Sequence, residues 1–94
     1  MPVYVDDMRL PAKVGRTQAR WSHLMADTTL ELEEFAAKLG LKPKWIQYPG
    51  TWKEHYDVTD TVRTKAIKLG AEAVAYSSRE MHDIRQRKRK ALEA

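Results

Sequence analysis

"DTTLELEEFAAKLG", residues 27–40, and "DVTDTVRTKAIKLG", residues 57–70, echo one another at an offset of thirty. Leu32, Phe35, Ala36 and Leu39 fall at helical spacing, and Val62, Ala66, Ile67 and Leu69 do so more loosely. Each stretch opens on Asp and Thr, whose side-chain oxygens accept the orphan N–H bonds of a first helical turn. Thr28 and Glu31 have the spacing of a capping box. Each stretch closes on Gly, which takes the left-handed conformation just past a helix end. The pattern predicts two amphipathic helices, with Asp57 capping the second. Two copies are too few for a solenoid.

Short apolar segments follow both helices: "KWIQY" at 44–48 and "AEAVAY" at 71–76. The chain begins "PVYVDD", in which Val3, Tyr4 and Val5 favour a strand. The order is therefore β-α-β-α-β, with a C-terminal helix from about Ser78. This predicts an α/β domain of two or three layers, built on a short, mostly parallel sheet. Residues 1–79 are expected to form the single α/β domain, and 80–94 a basic C-terminal helix or tail. The connection from Met8 to Ala26 exceeds the ~2–6 residues of an ordinary βα loop. "ARWSHLM" within it has room for a short strand or a turn of helix.

With 94 residues the chain suits one small domain, and 43% hydrophobic with 32% charged residues suits a soluble globule. Cysteine is absent, which excludes a disulfide framework, a thiolate zinc cluster and a cysteine nucleophile. That fits a reducing cytosol, so a cytoplasmic location is expected. "MPVYVDDMRL" lacks the basic-then-apolar signature of a signal peptide. No apolar stretch approaches the ~20 residues of a membrane span, so no membrane partner is expected. Residues 79–94 hold six basic and three acidic side chains, and the remaining 78 hold eleven and ten. The net charge of +4 thus lies mostly at the C-terminus.

In open parallel sheets, ligands bind outside the carboxyl ends of the strands. Asp6, Asp7 and Arg9 follow the first strand, and Arg16, Arg20, Ser22 and His23 lie in the long connection. Trp52, His55, Tyr56 and Asp57 follow the second strand, and Ser77, Ser78 and Arg79 the third. Asp6, His23, His55 and Asp57 are the catalytic candidates. A carboxylate such as Asp6 or Asp7 supplies a base or a hard-oxygen ligand for Mg²⁺ or Mn²⁺. Imidazole transfers protons near neutral pH or ligates a metal. Asp57 would orient His55 or join the metal.

Arg16 and Arg20 are candidate phosphate clamps, since guanidinium grips phosphate bidentately. Asp7, Arg9, Ser22, Tyr56, Ser77 and Arg79 complete the ligand-binding set. Structural roles compete throughout: turn aspartates, a helix cap at Asp57, and solvated arginines. No glycine pattern of a phosphate loop is present. Arg85, Arg87, Lys88, Arg89 and Lys90 offer phosphate contacts for nucleic acid. They lack interleaved aromatics, and a solvated helix end explains them equally.

Two functions follow. One is a domain that binds or acts on a phosphate-bearing ligand, a nucleotide or nucleic acid, with a divalent metal as the candidate cofactor. The alternative is a non-catalytic accessory module that holds nucleic acid or a host protein through the basic segment. Enzymatic activity, metal requirement and oligomeric state are not encoded legibly.

"VYVDD", "RLPAKVGR", "RWSHLMADT", "EFAAKLGL", "HYDVTD" and "AIKLGA" occur in that order. Together they resemble the domain-of-unknown-function family numbered 4031, of actinobacteria and their phages. The resemblance spans roughly residues 3–79. It implies an actinobacterial or phage setting, hence a host cytoplasm in the phage case, and assigns no reaction or catalytic residue. Its words overlap the edge derived from strand order.

Overall fold

The computed structural model describes residues 3–93. Its elements are β1 (Val3–Val5), β2 (Leu10–Val14), β3 (Thr17–Ala26), α1 (Thr29–Lys38), a 3-10 turn (Pro43–Trp45), β4 (Tyr56–Thr59), α2 (Asp60–Lys68), β5 (Glu72–Ala73) and α3 (Arg79–Glu93). The chain is mixed α/β with a C-terminal helix, as expected.

The pairing corrects the expected parallel sheet. β1, β2 and β4 all pair antiparallel with β3, and only β5 runs parallel, against β1. The reason lies in the connection from Met8 to Ala26. It is a hairpin, with Gly15 at φ +61 in the two-residue turn that joins β2 to β3. Glycine with positive φ is what such primed turns require. β1 pairs with residues 24–26 of β3 and β2 with residues 17–21, while β4 takes 21–24. A strand has two edges, so β1 and β2 must lie end to end along one edge and β4 along the other. Asp6–Arg9 is the break between them.

Two predicted strands are also corrected. "KWIQY" holds the 3-10 turn and a single bridge, Gln47 to His55, because Pro43 fixes φ and lacks an N–H for a ladder. "AEAVAY" holds only the two-residue β5. Instead "YDVT" at 56–59 is a strand, with Tyr56 and Val58 buried and Asp57 exposed. That alternation is the period-two signature of a half-buried strand.

Both predicted helices form, and their ends explain the echo. Leu41 N–H reaches the Ala36 carbonyl at 3.0 Å and Ala71 N–H the Ala66 carbonyl at 2.9 Å. These are the long bonds of Schellman motifs, which Gly40 at φ +77 and Gly70 at φ +112 make accessible. The N-caps are Thr28 and Thr59, accepting from Glu31 N–H and Val62 N–H. Asp57 is therefore not the cap; it lies two residues earlier, in β4. Only half of the expected capping box forms: Thr28 Oγ1 accepts Glu31 N–H at 3.2 Å, while Glu31 Oε1 accepts the Thr28 hydroxyl at 2.9 Å instead of its backbone N–H.

Neighbouring strand residues feed opposite faces of the sheet. Val3, Val5, Leu24, Ala26, Tyr56 and Val58 join Leu32, Phe35, Ala36 and Ala66 of the two helices in one core cluster. Tyr4 and Met25 join Val74, Met81 and Ile84 in another. Helices α1 and α2 thus cover one face and α3 the other, giving three layers. No helix among the described residues is long and apolar enough to cross a membrane.

Candidate functional site

The site starts at the break between β1 and β2. Asp6 follows β1 and is fully buried. Its N–H donates to the His23 carbonyl at 3.1 Å, continuing the ladder by one bond. Its side chain then replaces the missing backbone acceptors: Oδ1 takes His23 N–H at 3.0 Å and Met8 N–H at 3.2 Å. Oδ2 lies 2.6 Å from His23 Nδ1. Burial pushes the Asp6 carboxyl up, but the bonds from the His23 ring and backbone outweigh it and hold it below the usual carboxylate range. The bond to Asp6 raises the His23 imidazole above its ordinary value, against burial, which lowers it.

Antiparallel register brings in the rest. His23 on β3 is the cross-strand partner of Asp57 on β4. His55 lies two residues before Asp57, so it shares that face of the sheet. The His23 and His55 rings meet edge to face, with centroids 4.7 Å apart at 82°. His55 Nδ1 lies 2.5 Å from the Lys53 carbonyl, and its Nε2 lies 3.2 Å from Asp57 Oδ1. That bond lowers the Asp57 carboxyl, against the opposing push of burial.

A cavity of about 250 Å³ opens over the two rings. Tyr48, Trp52 and Tyr76 supply aromatic surface, Lys53 and Arg85 supply charge, and Met25 supplies apolar floor. Tyr76 stacks on His23 with centroids 5.8 Å apart. Its N–H is held by Asp7 Oδ1 at 2.7 Å, so Asp7 positions this wall. Tyr48 lies toward His55 at 6.1 Å and has φ +49, unusual for a residue with a side chain. The cations rest on the rings: Arg85 over Tyr76 at 5.1 Å, Arg89 over Trp52 at 5.0 Å, and Lys53 over Tyr48 and Trp52 at 5.6 and 5.4 Å.

The profile of the family described as "Protein of unknown function (DUF4031)" matches residues 3–89. The chain belongs to this family. The match continues past residue 79, where the resemblance in sequence words stops, and takes in most of α3. No curated protein and no solved structure matches the chain.

In this family member the fold brings Asp6, His23, His55 and Asp57 together. It does so on the sheet face beneath α3 rather than outside the strand carboxyl ends, because β3 runs antiparallel to both β1 and β4. Other candidates lie elsewhere. Ser22 is buried, and its hydroxyl accepts Arg9 N–H at 3.1 Å. Tyr56 is buried in the core on the opposite face. Arg9 forks onto Asp60 at 2.8–3.2 Å. Arg16 occupies the hairpin turn and Arg20 is exposed on β3 beside it; neither lines the cavity. Ser77 is exposed between Tyr76 and α3, and Arg79 is exposed at the first position of α3.

The basic segment is distributed rather than uniformly solvated. Arg85 and Arg89 flank the cavity rings, while Arg87 bonds the Tyr4 hydroxyl at 2.8 Å and Asp27 at 3.0 Å. Lys88 is buried, with Nζ 3.3 Å from the Glu54 carbonyl, and only Lys90 of the five is both exposed and without a bond or ring contact among the described residues. Tyr48 and Tyr76 went unnoticed in the sequence. Their signal was positional: each is the last residue of a short apolar segment, beside a turn.

Proposed function

We propose that this cavity binds a phosphate-bearing ligand with a flat aromatic part, the chemistry of a nucleotide. The observation that supports it is the pairing of aromatic walls with cations at one mouth: Tyr48, Trp52 and Tyr76 beside Lys53 and Arg85. Rings stack a base with little regard to its identity, and neighbouring cations neutralise phosphate. At about 250 Å³ the cavity suits one base or one phosphoryl group, leaving the rest of the ligand along the rim. Arg89 over Trp52 extends the charge along α3. The basic segment serves this reading better than a separate tail does, since Arg85 and Arg89 meet the rim rings and Arg87 and Lys88 have partners in the fold.

The test is calorimetric titration with adenosine, AMP, ATP, inorganic phosphate and a short single-stranded oligonucleotide. Saturable binding of the nucleotides, weaker for adenosine, is expected. Trp52→Ala should weaken it about tenfold or more, from the worth of a base stack. Lys53→Ala with Arg85→Ala should weaken AMP while leaving adenosine unchanged. Absence of saturable binding by every phosphate compound would overturn the reading.

A further inference from the structure

His55 poses a problem of donors and acceptors. A carbonyl oxygen only accepts, so the 2.5 Å contact with Lys53 O places a hydrogen on His55 Nδ1. In the neutral ring Nε2 is then a lone pair. Yet Nε2 faces the Asp57 carboxylate at 3.2 Å, one acceptor against another. A cation must reconcile them, either a second proton on the ring or a metal ion. His23 repeats the arrangement, with Nδ1 engaged by the buried Asp6 carboxylate at 2.6 Å and Nε2 remaining. One donor atom from each of His23, His55 and Asp57 lies within 4.8 Å of the other two.

We propose that His23, His55 and Asp57 form a mononuclear site for a divalent cation of the zinc class. Two imidazoles and one carboxylate are the donor set such borderline ions prefer, whereas Mg²⁺ and Mn²⁺ favour oxygen. The His55–Asp57 separation already matches the donor spacing around a tetrahedral ion with bonds of about 2.0–2.1 Å. The third donor, on His23, lies within 4.8 Å of the other two. Asp6 orients one imidazole and the Lys53 carbonyl the other, the outer contacts that fix a ligating tautomer.

Asp6 itself supports rather than ligates, because both its oxygens are already spent. Three protein donors leave the fourth position for water or a ligand oxygen, as in catalytic rather than structural zinc sites. His23 and His55 line the cavity wall, so that position faces the proposed phosphate site. Asp57 completes the set from the exposed side, where it also borders a neighbouring groove.

Metal-free full-length chain titrated with Co²⁺, a spectroscopic stand-in, and then with Zn²⁺ in competition tests this without any nucleotide. One ion per chain is expected, with a tetrahedral-type visible spectrum. His55→Ala and Asp57→Ala should each abolish the spectrum, and Asp57, being exposed, can be replaced without threat to folding. Asp6→Asn should weaken affinity about 10–100-fold, the usual cost of losing an orienting partner. His82→Ala, an exposed histidine on α3, should bind as wild type does. Zn²⁺ should also shift the Nε2 resonances of His23 and His55 in nitrogen-15 spectra. No saturable uptake, or uptake indifferent to His55→Ala and Asp57→Ala, would overturn the proposal. Metal uptake with no nucleotide binding would sink the nucleotide reading alone.

Discussion

Asp6 serves both the sheet and the candidate site. It caps two backbone N–H groups at the break in the sheet edge and holds one histidine ring. Asp6→Ala orphans His23 N–H and Met8 N–H and frees the ring. It should cost about 2–3 kcal/mol in urea denaturation, the penalty of stranded buried donors. Asp6→Asn keeps an oxygen for the two N–H groups and should cost less. Equal losses in the two variants would show that the ring contact, not the backbone, dominates. The sequence marked Asp6 as a candidate by its place after a strand. It could not show the buried backbone role, which exists only because β1 and β2 share an edge of β3.

At the scale of elements, the second helix separates local from tertiary signals. The sequence placed its cap at Asp57; the structure caps it with Thr59 and uses Asp57 in β4. Thr59→Ala should therefore cost about 1 kcal/mol by chemical denaturation. Asp57→Ala should cost much less, and a larger loss there would restore the first assignment. Gly70→Ala forces a side chain into φ +112 at the Schellman turn and should cost about 1–3 kcal/mol. The glycines were legible because helix ends demand them locally. β4 was not, because "YDVT" is too short to declare itself a strand without its partner.

For the whole molecule, α3 is the layer that makes a second core and roofs the site. Its Met81 is fully buried, so Met81→Ala should cost about 2–5 kcal/mol and disturb Tyr4 and Met25 together. Lys88, on the same helix, links this layer to pH. Burial holds its ammonium below the ordinary lysine value, despite the opposing pull of Glu54 and Asp27. Between its folded and unfolded values the unfolded chain binds more protons. Stability from this group therefore rises as pH increases toward 10.5 and falls as pH decreases. Thermal melts in the alkaline range below pH 10.5 should show a more positive trend with pH in wild type than in Lys88→Met. The raised tyrosines Tyr4 and Tyr56 act only above about pH 10, outside that window.

The sequence by itself determined the α/β class, both helices and their glycine ends, the strand at Val3–Val5 and the C-terminal helix. These follow from local periodicity, capping and turn chemistry. It also named the four residues that meet at the site. Only the tertiary structure decided the antiparallel sheet, the face on which those residues meet, and the aromatic walls around them. Strand direction depends on which segments pair across the chain, and the two-residue turn at Gly15 settled that by folding the long connection back on itself. Once β3 runs antiparallel to β1 and β4, register sets His23 opposite Asp57 and beside His55. No periodicity along the chain records that juxtaposition.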